Sequence, residues 1–329
     1  LRLGGSVLLS PVRRHCNTED EFMTEVLSVH EISKTFGSVR AVDCVSFSIR
    51  KGSITGLLGR NGAGKTTMLR MINGIFLPDR GTIEIFGSAN HASARDRIGY
   101  LPEERGLYKK MKVTEQLLFL SEIKSLKPVT VKARVESWLK RLELWEKRDS
   151  RVDALSKGNQ QKVQLIGALL HDPELVILDE PMSGLDPVNV VLIRRILKEL
   201  REEGRTILLS THMMGEAEKM VDEILLIHEG KVVLSGELDR VRSSFGKNTV
   251  HLSFEGDGSF LASAPGVGRA TVQNNVAEIQ MKDGADPHKL LEVAIGRLRI
   301  SRFEVAAPSL EEIFIDRVGA GTLEAEVSP

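Results

Sequence analysis

The stretch LLGRNGAGKTTMLR, residues 57–70, constrains the fold more than any other part of the chain. An apolar run ends at Gly59, and after Lys65 and Thr66 the residues Met68, Leu69, Met71 and Ile72 recur at helical spacing until Asn73-Gly74. The spacing predicts strand, glycine-rich turn and helix. Gly59, Gly64, Lys65 and Thr66 fill the pattern GxxxxGK[ST], in which each residue type has a physical reason. Glycine lets the backbone from Gly59 through Arg60, Asn61, Gly62, Ala63 and Gly64 fold into a nest of N–H donors for phosphate oxygens. The helix opening at Lys65, Thr66 and Thr67 turns its positive dipole end to the same anion. The lysine ammonium reaches the terminal phosphates and the threonine hydroxyl ligates magnesium. The plainer alternative is a glycine turn beside a surface lysine, and the flanking strand and helix argue against it. Glycines at 59, 62 and 64 do not make GxGxxG, which excludes a dinucleotide fold.

A phosphate cradle requires carboxylates nearby, and LVILDEP at 175–181 supplies them. Asp179 and Glu180 stand at the carboxyl end of a buried-type strand, where ligands of open α/β sheets collect. Asp179 would hold magnesium, directly or through water, and Glu180 would orient or deprotonate an attacking water. The plainer alternative, a strand end with two solvated acids, is the weaker reading of the segment alone and weaker still beside the cradle.

The rest of the chain is consistent with a globular protein of two domains. It has 329 residues, 41% of them apolar, enough for one full core or two. Its 45 basic and 45 acidic residues cancel, which argues against nucleic acid as a partner. Cys16 and Cys44 are too few for a disulfide framework and have no zinc spacing, which suits the cytoplasm. No run approaches the length of apolar residues that crosses a bilayer, so no direct membrane span is expected. The opening LRLGGSVLLSPVRRHC is followed by basic residues instead of a cleavage site and does not fit a signal peptide. Periodic structure begins in MTEVLSVHEISKTFG after Met23, so residues 1–24 are expected to be a disordered extension.

Residues 26–50 alternate as two strands with GSVRAVD as the turn between them. VTEQLLFLSEIKSL and VKARVESWLKRLELWEK read as long amphipathic helices; Trp138 and Trp145, seven apart, share a side that can pack internally. Beyond them strands and helices alternate through ELVILDEP, VVLIRRILKELREEG, RTILLSTH, MGEAEKMV and EILLIHEGKVVLSGE, indicating a parallel sheet with helices on its faces. The pattern breaks near residue 240. Residues 241–267 read as a polar, glycine-bearing boundary, and the remainder as strands with two helices.

With these residues in place, the chain resembles the ATP-binding subunit of an ATP-binding-cassette (ABC) transporter. Between the two phosphate motifs lies LSKGNQQK (155–162), similar to the family signature; SGLDP (183–187) resembles the D-loop, and His212 in LLSTH stands where the family has its switch histidine. Phe36 in KTFG occupies the position where the family stacks a ring on adenine; a core phenylalanine is the other reading. PSLEEIFI (308–315) and GYLPEERGLY (99–108) point to the drug-resistance and sodium-export branch, which carries a small C-terminal domain.

The resemblance implies an α/β P-loop NTPase of the ABC type over residues 25–240. It has a mixed sheet with antiparallel N-terminal strands and a helical subdomain at about 101–168, and a small α+β domain follows over 241–329. It implies ATP and Mg2+ as ligands, a second ATP-binding subunit packed head to tail as a homodimer, and separate membrane-spanning permease subunits at the inner face of the membrane. Ser156, Gly158 and Asn159 would meet the partner's γ-phosphate, Asp186 would couple the two sites, and His212 would contact the γ-phosphate and position water.

Three positions depart from the family pattern. Glu103 stands where a magnesium-sensing glutamine is usual, and a carboxylate there can still ligate magnesium or water. Lys157 replaces a glycine and Asn159 a glutamine; Lys157 either adds charge beside the partner's nucleotide or is a solvent lysine. Two other functions compete with a transport motor: a soluble ABC-type ATPase, which typically has two cassettes in one chain, and a degenerate cassette that binds ATP without turnover. Intact Lys65, Asp179 and Glu180 weigh against the second.

Overall fold

The computed structural model describes residues 25–325 apart from 90, 105, 125, 127, 246–248 and 283. The extension expected at residues 1–24 lies outside the described residues. The chain begins with β1 (Glu25–Phe36), β2 (Val39–Arg50), β3 (Ile54–Leu58), α1 (Lys65–Ile72), β4 (Arg80–Ile85), α2 (His91–Ala94) and β5 (Ile98–Leu101). Three helices follow: α3 (Val113–Ile123), α4 (Pro128–Arg141) and α5 (Lys157–Leu169). Alternation then resumes through β6 (Leu175–Asp179), α6 (Pro187–Glu202), β7 (Thr206–Thr211), α7 (Met214–Ala217), β8 (Glu223–His228), β9 (Lys231–Glu237) and α8 (Leu238–Ser244). Last come β10 (Thr249–Glu255), β11 (Val267–Gln273), β12 (Val276–Met281), α9 (Pro287–Ile295), β13 (Arg299–Ala306) and α10 (Leu310–Ala325).

A six-stranded sheet in the order β5-β6-β7-β3-β8-β9 forms the centre, parallel except for the β8–β9 hairpin. β3, β6 and β7 are buried at every position, which explains why ITGLL, LVILD and TILLST are near-continuous apolar runs. Their side chains divide between two cores. Leu57, Ile177, Leu208 and Leu225 face a core shared with α1 and the antiparallel β2-β1-β4 sheet, whereas Leu58, Val176, Leu178 and Leu209 face the helices α3 to α6. Met68, Leu69, Met71 and Ile72 of α1 are buried in the first of these cores. Each contributes about 1.5–3 kcal/mol by burial. That packing holds in place an eight-residue helix too short to persist alone.

Four differences from the sequence reading have local causes. The turn after β1 is only Gly37-Ser38, and VRAVD belongs to β2, where Arg40 and Val42 pair with Thr35 and Lys34. The second long helix stops at Arg141, and Glu143, in the left-handed region at φ 58, turns the chain before Trp145. MGEAEKMV forms only the short α7. The polar boundary at 241–267 contains β10, whose alternating Val250, Leu252 and Phe254 enter the core of a third sheet, ordered β11-β12-β10-β13. Trp138 and Trp145 both pack against the helical core, as their spacing predicts.

Candidate functional site

Gly59 follows the strand β3, and the loop it opens is fitted closely to its neighbours. A Cβ on Gly59 would stand 2.4 Å from the Ile227 carbonyl oxygen, and one on Gly64, at φ 104, would stand 2.3 Å from the Ala41 carbonyl oxygen. Only glycine permits both approaches. The Gly230 amide donates to the Ala63 carbonyl at 3.0 Å and braces the loop from the β8–β9 turn. α1 starts with no side-chain cap and no acid in its first turn, so its leading N–H groups are free to face an anion.

The Lys65 side chain is 5% exposed and donates to the carbonyls of Gly59 at 2.8 Å and Arg60 at 3.1 Å. It also lies 3.4 Å from Glu180 Oε1. The ammonium therefore joins the loop to the carboxylates at the end of β6. Arg60, Asn61 and Gly62 are exposed around the loop, while Thr66 and Thr67 are half-buried in the first turn of α1.

Asp179 is fully buried beside Ser210 of β7, its partner in the parallel register. Ser210 Oγ donates to Asp179 Oδ1 at 2.5 Å, and Asp179 Oδ2 has no hydrogen-bond partner among the described residues. A buried carboxylate oxygen left bare is costly, and a cation or its hydration shell satisfies it. Nearby Tyr100 reports the same field: burial, then the charge of Asp179, pushes its hydroxyl up to about 12. The bare oxygen of Asp179 thus suits a hard divalent cation, which takes oxygen ligands.

Glu180 adopts the left-handed region at φ 49, a strained conformation for a non-glycine residue. Its amide donates to the Ser210 carbonyl at 3.1 Å and to Ser210 Oγ at 3.2 Å, which over-determines the turn. So turned, the carboxylate accepts from Thr211 Oγ1 at 3.2 Å and from His212 Nδ1 at 3.0 Å. A carboxylate can only accept, so Nδ1 carries the proton. Lys65, Glu180 and His212 come together at the carboxyl ends of β6 and β7, with Asp179 the residue before Glu180.

Other predicted residues lie apart. Phe36 ends β1 with its side chain 44% exposed, edge-on to Phe76 at 5.6 Å, which rules out the core reading. Its hairpin reaches the phosphate loop at Ala41. Ser156 caps α5 by accepting from the Asn159 amide at 3.3 Å, and a Cβ on Gly158 would meet Leu185 Cδ2 at 3.2 Å. Asp186 caps α6; the Asn189 backbone N–H and side-chain amide hold its carboxyl below the usual range. Among the described residues no hydrogen bond or ion pair joins 156–159 or Asp186 to residues 59–67. Glu103 is exposed on the loop after β5, and Lys157 is exposed.

The sequence reading misses Ser210, Thr211 and Gln164. The hydroxyls precede His212 in LLSTH, but their role depends on β7 lying beside β6. Gln164 of α5 donates to the carbonyls of Pro102 at 3.1 Å and Glu104 at 3.0 Å and clamps the loop carrying Glu103; helical spacing alone gives no sign of this.

The family model described as ABC transporter matches residues 42–183, and that of the ATP-binding protein DrrA1-3-like C-terminal domain matches 236–318. The ABC transporter ATP-binding protein YhaQ of Bacillus subtilis is 40% identical over 295 residues, covering 90% of this chain and 99% of its own. The linearmycin resistance ATP-binding protein LnrL of the same organism is 30% identical, covering 89% and 98%. A dimeric ATP-binding cassette solved in a post-hydrolysis state with ADP and Pi superimposes with a TM-score of 0.60 at 25% identity, covering 64% of this chain and 98% of that one. The chain belongs to the ABC transporter family, as an ATP-binding subunit whose cassette hydrolyses ATP.

Proposed function

We propose that the chain binds Mg2+-ATP between two copies of itself and uses the hydrolysis cycle to drive export through membrane-spanning partner subunits at the cytoplasmic face of the membrane. The observation that carries this reading is the placement of Glu180 between Lys65 and His212 at the mouth of the phosphate loop.

The residues divide the work by position. Loop amides from Gly59 to Thr67 and the Lys65 ammonium bind the phosphates, and Phe36 offers an exposed ring to the base. Thr66 and Asp179 would hold Mg2+, with Glu103 as the third oxygen donor that the family resemblance implies. Bound there, the metal would supply charge neutralisation at the transferring phosphoryl group. Glu180, a strand-end carboxylate in reach of both Lys65 and His212, takes the proton of the attacking water. His212 keeps Glu180 oriented through Nδ1–H and presents the rest of its ring to the phosphate. Ser156, Gly158, Asn159 and Asp186 lie away from the chain's own phosphate loop, as a surface must that serves a second copy's nucleotide.

The permease reading has support from a cavity of 340 Å³ beside the loop after β5, lined by Ile75, Tyr100, Pro102, Leu107, Ile123 and Gln164 among others. Gln164 Oε1 and His171 Nδ1 are buried there without partners among the described residues. Burial holds His171 below its ordinary pKa, and Nε2 bonds the Ile98 carbonyl at 2.8 Å, so Nδ1 presents a lone pair. An apolar groove with two bare acceptors suits an amphipathic segment bearing N–H donors.

Export is favoured because the domains at 42–183 and 236–318 occur together here and the relative LnrL is named for linearmycin resistance. The test is co-expression with a multi-span permease encoded beside it. Co-purification and permease-stimulated ATP hydrolysis are expected; ATPase activity indifferent to any membrane partner would favour the soluble alternative.

Two further results follow from the geometry. Ile75 and Ile123 are 53% and 63% exposed on the rim of the groove, so Ile75→Glu and Ile123→Glu should fold normally. They are expected to weaken permease co-purification by about tenfold, the cost of a charged group at an apolar anchor, with unchanged melting temperature. Phe36→Ala is expected to raise the Kd for ATP by about tenfold through loss of base stacking, without affecting tripolyphosphate binding. Calorimetric titration with the two ligands separates the outcomes.

A further inference from the structure

The last helix of the chain returns from the C-terminal sheet to the nucleotide half of the molecule. Leu310, Ile313 and Phe314 of α10, at helical spacing, are buried in the core that also contains residues of α5, α6 and β7. Phe314, 3% exposed, meets two groups that frame the phosphate loop. The Arg60 guanidinium lies 5.6 Å from its ring centroid, and the His228 ring stands edge-on at 6.4 Å. The Arg60 carbonyl accepts from Lys65 Nζ at 3.1 Å and from the Ala63 amide at 3.2 Å. His228 follows Ile227, whose carbonyl excludes a Cβ at Gly59.

The same segment is tied to the chain that follows His212. Arg242 donates to the carbonyls of Ala307 and Pro308, each at 3.1 Å, and pairs with Glu218 at 2.8 Å. Glu218, at the end of α7, also accepts from the Leu310 amide at 3.4 Å. The start of α10 is therefore fixed by bonds that do not involve Phe314, and a leucine would serve to fill the core there. What a leucine cannot supply is an aromatic face for a cation.

We propose that Phe314 is a positioning residue for the nucleotide site. Holding the Arg60 guanidinium against its ring fixes the Arg60 peptide, whose carbonyl orients the Lys65 ammonium. The C-terminal segment thereby sets how tightly the phosphate loop grips a nucleoside triphosphate. An exposed arginine free of the ring samples many rotamers and leaves its peptide free to turn; docked, it gives the loop one conformation before ligand arrives, and preorganisation appears as affinity. The inference rests on the reading of Lys65 as the phosphate ligand.

The experiment uses the full chain and reads both ATP titration and steady-state hydrolysis. Phe314→Leu, with Phe314→Met as a second volume-filling variant should leucine fail to fold, is expected to raise Kd and KM for Mg2+-ATP by about three- to tenfold, the range of a cation–π contact. kcat should stay within about twofold, because the interaction acts on ground state and transition state alike. Phe314→Tyr, which restores the ring, should recover the lost affinity. Arg60→Gln should raise KM similarly, and the double variant should be no worse than Arg60→Gln alone. An unchanged KM in a folded Phe314→Leu protein, or fully additive losses in the double variant, would overturn the proposal while leaving the phosphate site intact. Wild-type protein that shows no magnesium-dependent ATP binding would remove the phosphate reading and this one together.

Discussion

Glu180→Gln is expected to lower ATP turnover by about a thousandfold, within the range for loss of a general base, while ATP binding is retained. Glutamine keeps the shape of the side chain: its one carbonyl oxygen can accept from His212 Nδ1, its NH2 can donate to Thr211 Oγ1, and the backbone bonds from residue 180 to Ser210 still support the strained turn. It cannot take a proton from water. Affinity should hold or tighten, because the carboxylate at 3.4 Å competes with phosphate for the Lys65 ammonium and the amide does so less. With binding intact and hydrolysis blocked, ATP should accumulate the protein as a closed dimer. Light scattering with ATP, beside a phosphate-release assay, checks both parts. Turnover near wild type, or a monomer at saturating ATP, would remove Glu180 from its role.

Lys65→Ala has the opposite signature, with the larger effect on binding. The substitution leaves the Gly59 and Arg60 carbonyls without their shared donor and the buried Glu180 carboxylate without its ammonium partner. Truncating one member of a buried charged pair costs about 2–5 kcal/mol, so the Kd for Mg2+-ATP should rise by about two orders of magnitude. Calorimetry on protein whose melting transition is intact measures it. Equal affinity in the two proteins would mean that the lysine holds the loop to the carboxylates and has no part in gripping phosphate.

The two variants probe the part of the site that sequence makes legible. The glycines, Lys65 and the paired acids act within a few residues of a strand end, so local spacing reveals both the element and the chemistry. Phe36 and His212 needed the family resemblance, and the structure places the first on an exposed hairpin end and the second against Glu180. Ser210 and Thr211 were out of reach because their partners are 31 positions away and depend on which strands are neighbours. Gln164 is a similar case, bonding a loop 60 and 62 positions distant. The polar composition of 241–267 hid β10, a half-buried strand whose alternation was masked by nearby glycines. Likewise the sequence reads α10 only as one of two helices in the C-terminal remainder, and the fold is needed to show Phe314 beside Arg60.

The central claim is that main-chain amides, the Lys65 ammonium and a cation on the bare oxygen of Asp179 together hold a nucleotide by its phosphate tail. Its most direct measurement is the affinity of the purified full-length protein for ATP, ADP and adenosine, each with Mg2+ and with excess chelator. Affinity should fall stepwise from ATP to adenosine, and for ATP it should weaken by at least about tenfold when the metal is removed. Equal binding of ATP and adenosine, or ATP affinity indifferent to Mg2+, would contradict it.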